Sequence, residues 1–285
     1  MASLKEVKGR IATVNNTRKI TSAMKMVASS KLYKAQEAIT HMLPYEQRLH
    51  DLLDHLLGNG DVLIWNTPRE VKRVALVIFS SNTSLCGGFN ANVIRQALTW
   101  LEEHKELGEK NILIYAIGKK VSEALIKRGY TLQGNFEGMA NRPSFADAST
   151  LAQTLMDLYV SRKLDRIEFI YNHFKSMASQ VLTREVYLPM QKSGNSMDSI
   201  KKTDFILEPS RQDLLAMLLP KALHMKFYTV LLDSNASEHA SRTMAMQIAT
   251  DNADDLLQKL TLMYNKTRQQ TITNELLDIV GGSMT

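Results

Sequence analysis

The chain has 285 residues, 44% of them hydrophobic and 22% charged, with one cysteine and a formal net charge of +6. That balance excludes wholesale disorder, and a single cysteine excludes an internal disulfide framework and fits a reducing compartment. Lys5, Lys8 and Arg10 interrupt the start, so no secretory leader is expected, and no apolar run is seen to approach the roughly 18 residues of a membrane span.

The charge is concentrated. Within residues 1–40, Lys5, Lys8, Arg10, Arg18, Lys19, Lys25, Lys31 and Lys34 stand against Glu6 and Glu37, an excess equal to that of the whole chain. A segment of this kind suits an acidic protein, nucleic acid or an anionic lipid, or is a solvated helix face.

From Ser3 to about Leu57 the sequence reads as one helix. Leu4, Val7, Ile11 and Val14 step by three and four. Ile20, Met24 and Val27 continue the seam, and Leu32, Ala35 and Ile39 carry it on a shifted phase. Leu49, Leu52, Leu53 and Leu56 complete it, Pro44 should bend it, and Gly58-Asn59-Gly60 should stop it. At 1.5 Å per residue such a helix is on the order of 80 Å long, far beyond the needs of a compact domain.

The middle of the chain alternates strand and helix. Val71–Phe79, Asn111–Ile117, Arg166–Tyr171 and Gln180–Leu188 read as strands, with helices at about Ala91–His104, Lys119–Lys127 and Ser144–Arg162. This order predicts a doubly wound, mostly parallel sheet whose last strand is free to run antiparallel. Ser193–Ser199 reads as a linker.

From about Ser210 to Val280 the chain is helical again, with Pro220 near its start. Ala249, Ala253, Leu256, Leu260 and Met263 have heptad spacing, and Ile272, Leu276 and Ile279 share one face. Alanines recur in both terminal helices, so the two should approach closely and pack antiparallel. The expected fold is α/β: a long antiparallel coiled coil of N- and C-terminal helices with an inserted Rossmann-like domain. The expected division is 1–57, 70–192 and 208–285.

A search for chemistry finds little. The loop Ser80–Asn90 follows a strand and precedes a helix, as a nucleotide loop does, but it holds no G-x-G-x-x-G and no Gly-Lys-Ser/Thr. Gly87 and Gly88 then read as a tight turn. Gly118-Lys119-Lys120 opens a helix, either as an anion site or as a solvated start. The seven histidines lack metal-ligand spacing and read as surface or helix-flank residues, Cys86 reads as a small buried hydrophobe, and Asp251, Asp254 and Asp255 read as an exposed face. No active site and no cofactor are expected. Apart from Tyr33, no aromatic residue interleaves with the basic N-terminal run, which leaves base stacking little to work with.

Four segments carry a resemblance over essentially the whole chain: Ile11–Leu32, Leu85-Cys-Gly-Gly-Phe-Asn90, Ser241–Ala253, and Asn265-Lys-Thr-Arg-Gln269 through Ile272–Asp278. They closely resemble the gamma subunits of F-type ATP synthases. The resemblance implies a rotor without catalytic residues, turning inside a ring of alpha and beta subunits and contacting an epsilon subunit and a membrane c-ring. It implies coupling of proton or sodium flow to ATP synthesis at the beta subunits, on the cytoplasmic face of a bacterial plasma membrane. By position, Met24 and Lys25 would face an acidic beta segment, and Arg268, Gln269, Thr273 and Glu275 a beta catch loop. Leu276, Ile279 and Val280 would form a bearing tip, and Glu208 would lie in the foot near the c-ring. The family usually has Asp-Arg-Gly or Asp-Lys-Gly where this chain has Asn82, Thr83 and Ser84. A Rossmann-type nucleotide-binding protein is the alternative reading.

Overall fold

The computed structural model describes residues 3–56, 65, 69–190, 207–208 and 210–282. The expected stop at Gly58–Gly60 and the linker at Ser193–Ser199 lie outside the described residues. In chain order the elements are α1 (Leu4–Leu56), β1 (Val74–Phe79), α2 (Phe89–Glu103), β2 (Ile112–Ile117), α3 (Lys119–Ile126), α4 (Glu137–Asn141), α5 (Phe145–Val160), β3 (Arg166–Phe174), β4 (Gln180–Leu188) and α6 (Arg211–Gly282). The short α4 lies between the expected helices Lys119–Lys127 and Ser144–Arg162, where no element is expected.

Both terminal helices begin on a serine cap. The Glu6 amide donates to Ser3 Oγ at 3.2 Å, and the Asp213 amide donates to Ser210 Oγ at 3.2 Å. Each cap satisfies an amide that the first helical turn leaves without a partner. Both helices continue through an internal proline, Pro44 in α1 and Pro220 in α6. One stretch of α6 is long and apolar enough by composition to cross a membrane, contrary to the reading of the sequence, and 44% of it is buried inside the molecule. Leu215, Leu219, Leu223, Phe227 and Leu231 pack in that burial, as in a core helix.

The chain divides into two compact units, Met1–Ser29 with Arg242–Thr285, and Ser30–Ser241. The larger unit contains the sheet, in the order β2-β1-β3-β4. β1 pairs parallel with β2 and with β3, and β4 joins β3 antiparallel. All six residues of β1 are buried, as expected of a central parallel strand covered on both faces.

The period of two sorts the side chains. Ala75, Val77, Phe79, Phe169 and Tyr171 meet α5 through Leu151, Leu155 and Tyr159, and meet α6 through Leu223, Phe227 and Leu231. Val74, Leu76, Ile78 and Ile170 face α2 and α3 through Val93, Trp100, Val121 and Leu125. Within this unit α1 and α6 also pack together. Leu49, Leu53 and Leu56 meet Leu215, Leu219 and Ala222, while Leu32 and Ala35 meet Ala236 and Ala240. Rising numbers on α1 meet falling numbers on α6, so the pair is antiparallel.

A carboxylate is sealed in this unit. Glu168 on β3 is 0% exposed, and it accepts from Trp100 Nε1 at 2.8 Å and from Arg184 Nε at 2.7 Å. Arg166 Nε lies 2.6 Å from its other oxygen, and Arg184 also reaches Glu103 at 2.6 Å. Arg184 and the indole N–H hydrogen-bond one oxygen of this sealed carboxylate, and Arg166 balances the other by charge alone.

In the smaller unit the helices are again antiparallel, but the middle of the seam, between buried Val7 and Ala28, is polar. Arg18 Nη1 lies 2.9 Å from Asp254 Oδ1, the Thr21 and Thr250 hydroxyls are 2.8 Å apart, and Lys25 Nζ donates to Gln247 Oε1 at 2.6 Å. Val7, Ile11, Val14, Arg18, Thr21, Lys25 and Ala28 hold one phase of alternating fours and threes. This corrects the expected seam through Ile20, Met24 and Val27. Ile20 is 60% and Val27 58% exposed, because they lie about a quarter turn away from the line that meets α6.

A similar correction applies to α6. Ala253 and Leu260 are buried as expected, but Leu256 and Met263 are exposed, and Leu257 and Tyr264 are half-buried in their place. Leu256 and Leu257 are equally apolar neighbours, and only the position of α1 chooses between them.

Candidate partner-binding surfaces

In a doubly wound sheet of order β2-β1-β3 the ligand crevice opens between β1 and β3. Beside it, the loops that follow β1 and β2 are bonded to each other. The first three amides of α3 are all taken: Lys119 N donates to Asn82 Oδ1 at 2.8 Å, Lys120 N to the Ser81 carbonyl at 3.1 Å, and Val121 N to Ser80 Oγ at 3.2 Å. Those are the groups an anion would need at a helix start. The anion reading of Gly118-Lys119-Lys120 is therefore overturned.

Gly118 makes this fit possible. Its φ is +100°, and a Cβ there would lie 2.3 Å from the Ser80 carbonyl oxygen. Asn82 accounts for one departure from the family pattern. Its Oδ1 caps α3 while its Nδ2 donates to the Glu137 carbonyl at 2.7 Å, and an aspartate could supply only the acceptor.

The rest of the loop is bonded inward. Ser81 Oγ donates to the Thr83 carbonyl at 2.6 Å, Asn90 Nδ2 to Cys86 Sγ at 3.1 Å, and Ser241 Oγ to the Cys86 carbonyl at 2.7 Å. Cys86 is buried as expected, and Gly87 takes the turn with φ +57°. Among the described residues no group of three or more His, Cys, Asp or Glu is arranged to hold a metal ion. The histidines are not all at the surface, since His239 is buried and His104 stacks on Trp100 at 3.9 Å.

The surfaces of the smaller unit are more informative. Ile20, Met24 and Val27 form a second stripe on α1 beside the seam, with Ile20 and Val27 exposed and Met24 half-buried. Lys25 lies in the seam itself. Its ammonium donates to Gln247, whose Nε2 in turn donates to Asp251 Oδ1 at 2.7 Å. Asp254 is not simply part of an exposed acidic face, because it pairs with Arg18. Gln247 and Thr250 were not singled out from the sequence, and Asp254 was read only as part of an exposed face. The unbroken heptad phase of α1 through Arg18, Thr21 and Lys25 is the signal that would have located their partners.

Pairing is antiparallel, so each step back along α1 matches a step forward along α6. Leu4, fourteen residues before Arg18, lies level with Arg268, fourteen residues after Asp254. Past that level α6 has no partner helix among the described residues, and Gln269–Val280 are all exposed. The face of Ile272, Leu276 and Ile279 thus stands open, with exposures of 48%, 58% and 68%. Arg268, Gln269, Thr273 and Glu275 are brought together on this segment, where Thr273 Oγ1 donates to the Gln269 carbonyl at 2.9 Å. Glu208 is exposed and belongs to the larger unit.

Known proteins match this architecture. Among solved structures, a chain of the Euglena gracilis mitochondrial ATP synthase (OSCP/F1/c-ring, rotational state 3) superposes with a TM-score of 0.65 at 19% identity, covering 99% of this chain and 93% of that one. A chain of the Tetrahymena thermophila mitochondrial ATP synthase central stalk/c-ring gives a TM-score of 0.60 at 22% identity, over 81% and 99%. These share the fold.

Sequence relatives are closer. The ATP synthase gamma chain of Phocaeicola vulgatus is 60% identical over 100% of both chains, and that of Bacteroides fragilis 56% identical over 100% of both. A family model described as ATP synthase matches residues 3–285. With that match and such identity from end to end, the chain belongs to the ATP synthase gamma chain family.

Proposed function

We infer that this chain works as the central stalk of a rotary F-type ATP synthase, a noncatalytic subunit that couples ion flow to ATP synthesis on beta subunits. The observation that carries this reading is the open end of α6. An apolar helix face that outruns its partner by more than three turns is costly in water and needs a sleeve supplied by other chains. The start of α3 agrees, since its first three amides are bonded within the chain and are not open to a phosphate.

In this reading the partners are the alpha and beta ring, an epsilon subunit and the c-ring. The complex is associated with the membrane, and the chain lies on the cytoplasmic face of a bacterial plasma membrane. Leu276, Ile279 and Val280 turn as an apolar bearing, and Arg268, Gln269, Thr273 and Glu275 engage the beta catch loop. Met24 meets the acidic beta segment together with exposed Ile20 and Val27. Lys25 contributes its charge from the seam while one ammonium donor stays on Gln247. Glu208 lies in the foot. The division into 1–57, 70–192 and 208–285 matches this sharing of work between terminal helices and inserted domain.

The test is assembly. Co-expression with alpha and beta should give a stable complex whose ATPase is lost when this chain is omitted; equal assembly and turnover without it would sink the reading. Met24→Lys adds a charge facing an acidic segment and should impair ATP-driven ion pumping more than hydrolysis. Unchanged pumping at normal hydrolysis would remove Met24 from that contact.

A further inference from the structure

One contact between the sheet and α6 depends on a titratable ring. At the end of β3, His173 Nδ1 lies 2.5 Å from Asp233 Oδ2, and the Phe174 amide donates to the other oxygen at 2.8 Å. The carboxylate side chain is 13% exposed and the ring 53%. Lys226 of α6 acts on Asp233, and Asp233 acts in turn on Tyr171 of β3, which also feels Glu185 of β4 and Glu46 of α1. Lys226 Nζ is already committed to Glu185 Oε1 at 2.9 Å, and Tyr171 donates to Glu185 Oε2 at 3.1 Å. Asp233 is left with His173 as its bonded cation.

We propose that His173 and Asp233 form a proton-dependent clasp between the end of β3 and α6, tight while the pair holds a proton between ring and carboxylate and loosened when that proton leaves. Imidazole is the side chain suited to exchange a proton near neutrality, so among the described residues this sheet-to-α6 ion pair responds to such an exchange. Lys226–Glu185 does not. With the proton present the bond is charge-assisted and roughly twice as strong as a neutral one. Without it, a mostly buried carboxylate keeps one amide and a neutral ring.

The sign is the same from either partner. Burial raises the Asp233 carboxyl above its usual range, against the lowering effect of the bonds from His173 and Phe174. A raised acid favours the fold at low pH and loses that contribution as pH rises. That contribution belongs to the carboxyl group's own range; separately, when the ring proton leaves, the carboxylate loses its balancing charge and the clasp weakens in the same direction.

Thermal unfolding of the full chain at pH 6 and pH 8 tests this. Going from pH 6 to pH 8, the native chain should lose about 2 °C more in Tm than His173→Lys, whose cation persists across the range, while the other histidines contribute equally to both. Equal losses would overturn the clasp. Should the variant fold poorly, hydrogen exchange of the Phe174 amide in the native chain decides. Protection corrected for intrinsic rate should fall roughly two- to fivefold from pH 6 to pH 8; a constant value refutes the proposal.

Discussion

The same two helices pack by different rules in the two units. In the larger unit they meet through Leu32, Ala35, Leu49, Leu53, Ala236 and Ala240, apolar and closely fitted, with a sheet beside them. In the smaller unit the middle of the seam holds three polar rungs, and the outer faces carry Ile20, Val27, Leu262 and Ile279 in the open. An isolated two-helix pair normally does the reverse, with apolar residues inside and polar ones outside. The inversion makes sense for a helix pair whose outside is to be covered. Stability belongs to the larger unit, and the smaller unit is built to present a surface.

This contrast can be broken at several points. The largest effect should come from Phe227→Ala. Its ring is fully buried against Phe79, Phe169 and Tyr187, and removing it should cost about 3–5 kcal/mol in denaturant unfolding of the full chain. A loss under 1 kcal/mol would mean that α6 does not complete the sheet's core. Glu168→Gln should come next, at roughly 2–4 kcal/mol, because it leaves Arg166 and Arg184 facing a neutral group in a sealed place. Both guanidinium groups keep about a third of their side chain in solvent, which holds the cost below that of a fully buried pair.

In the smaller unit the expected signs differ. Thr21→Leu with Thr250→Leu turns one rung apolar and should raise stability by about 1 kcal/mol, measured as a higher midpoint at unchanged denaturant slope. A lower midpoint would mean that the hydroxyl pair is what the helices are fitted around. Arg18→Ala should change stability by less than about 1 kcal/mol, less still in high salt, because both side chains are 40–47% exposed. Ile279→Ser should leave the midpoint of the isolated chain unchanged, since no described residue covers it there, while weakening assembly with an alpha and beta ring. A clear destabilisation of the isolated chain would show that the open end of α6 has a partner within it.

Much of the fold was legible because the signals were long. Strands β1 and β2 stand out as unbroken apolar runs rich in Val and Ile, and a helix of 53 residues repeats its period too often to be missed. The short α4, Glu137–Asn141, carries too few residues to establish a period. The exposed position of Gln269–Val280 was less legible, since an apolar face of steps four and three reads the same whether it is covered or open.

Sequence alone determined the two terminal helices, the alternating centre, the lack of catalytic motifs and the family, because these depend on residue type and spacing along one chain. Tertiary structure alone decided which of several lines along a helix is the seam. The 3.6-residue turn leaves Ile20, Met24 and Val27 as good a line by spacing as Val14, Arg18, Thr21 and Lys25. The choice falls to the second because Asp254, Thr250 and Gln247 stand opposite it, some 220 residues away in the chain, where local periodicity carries no information.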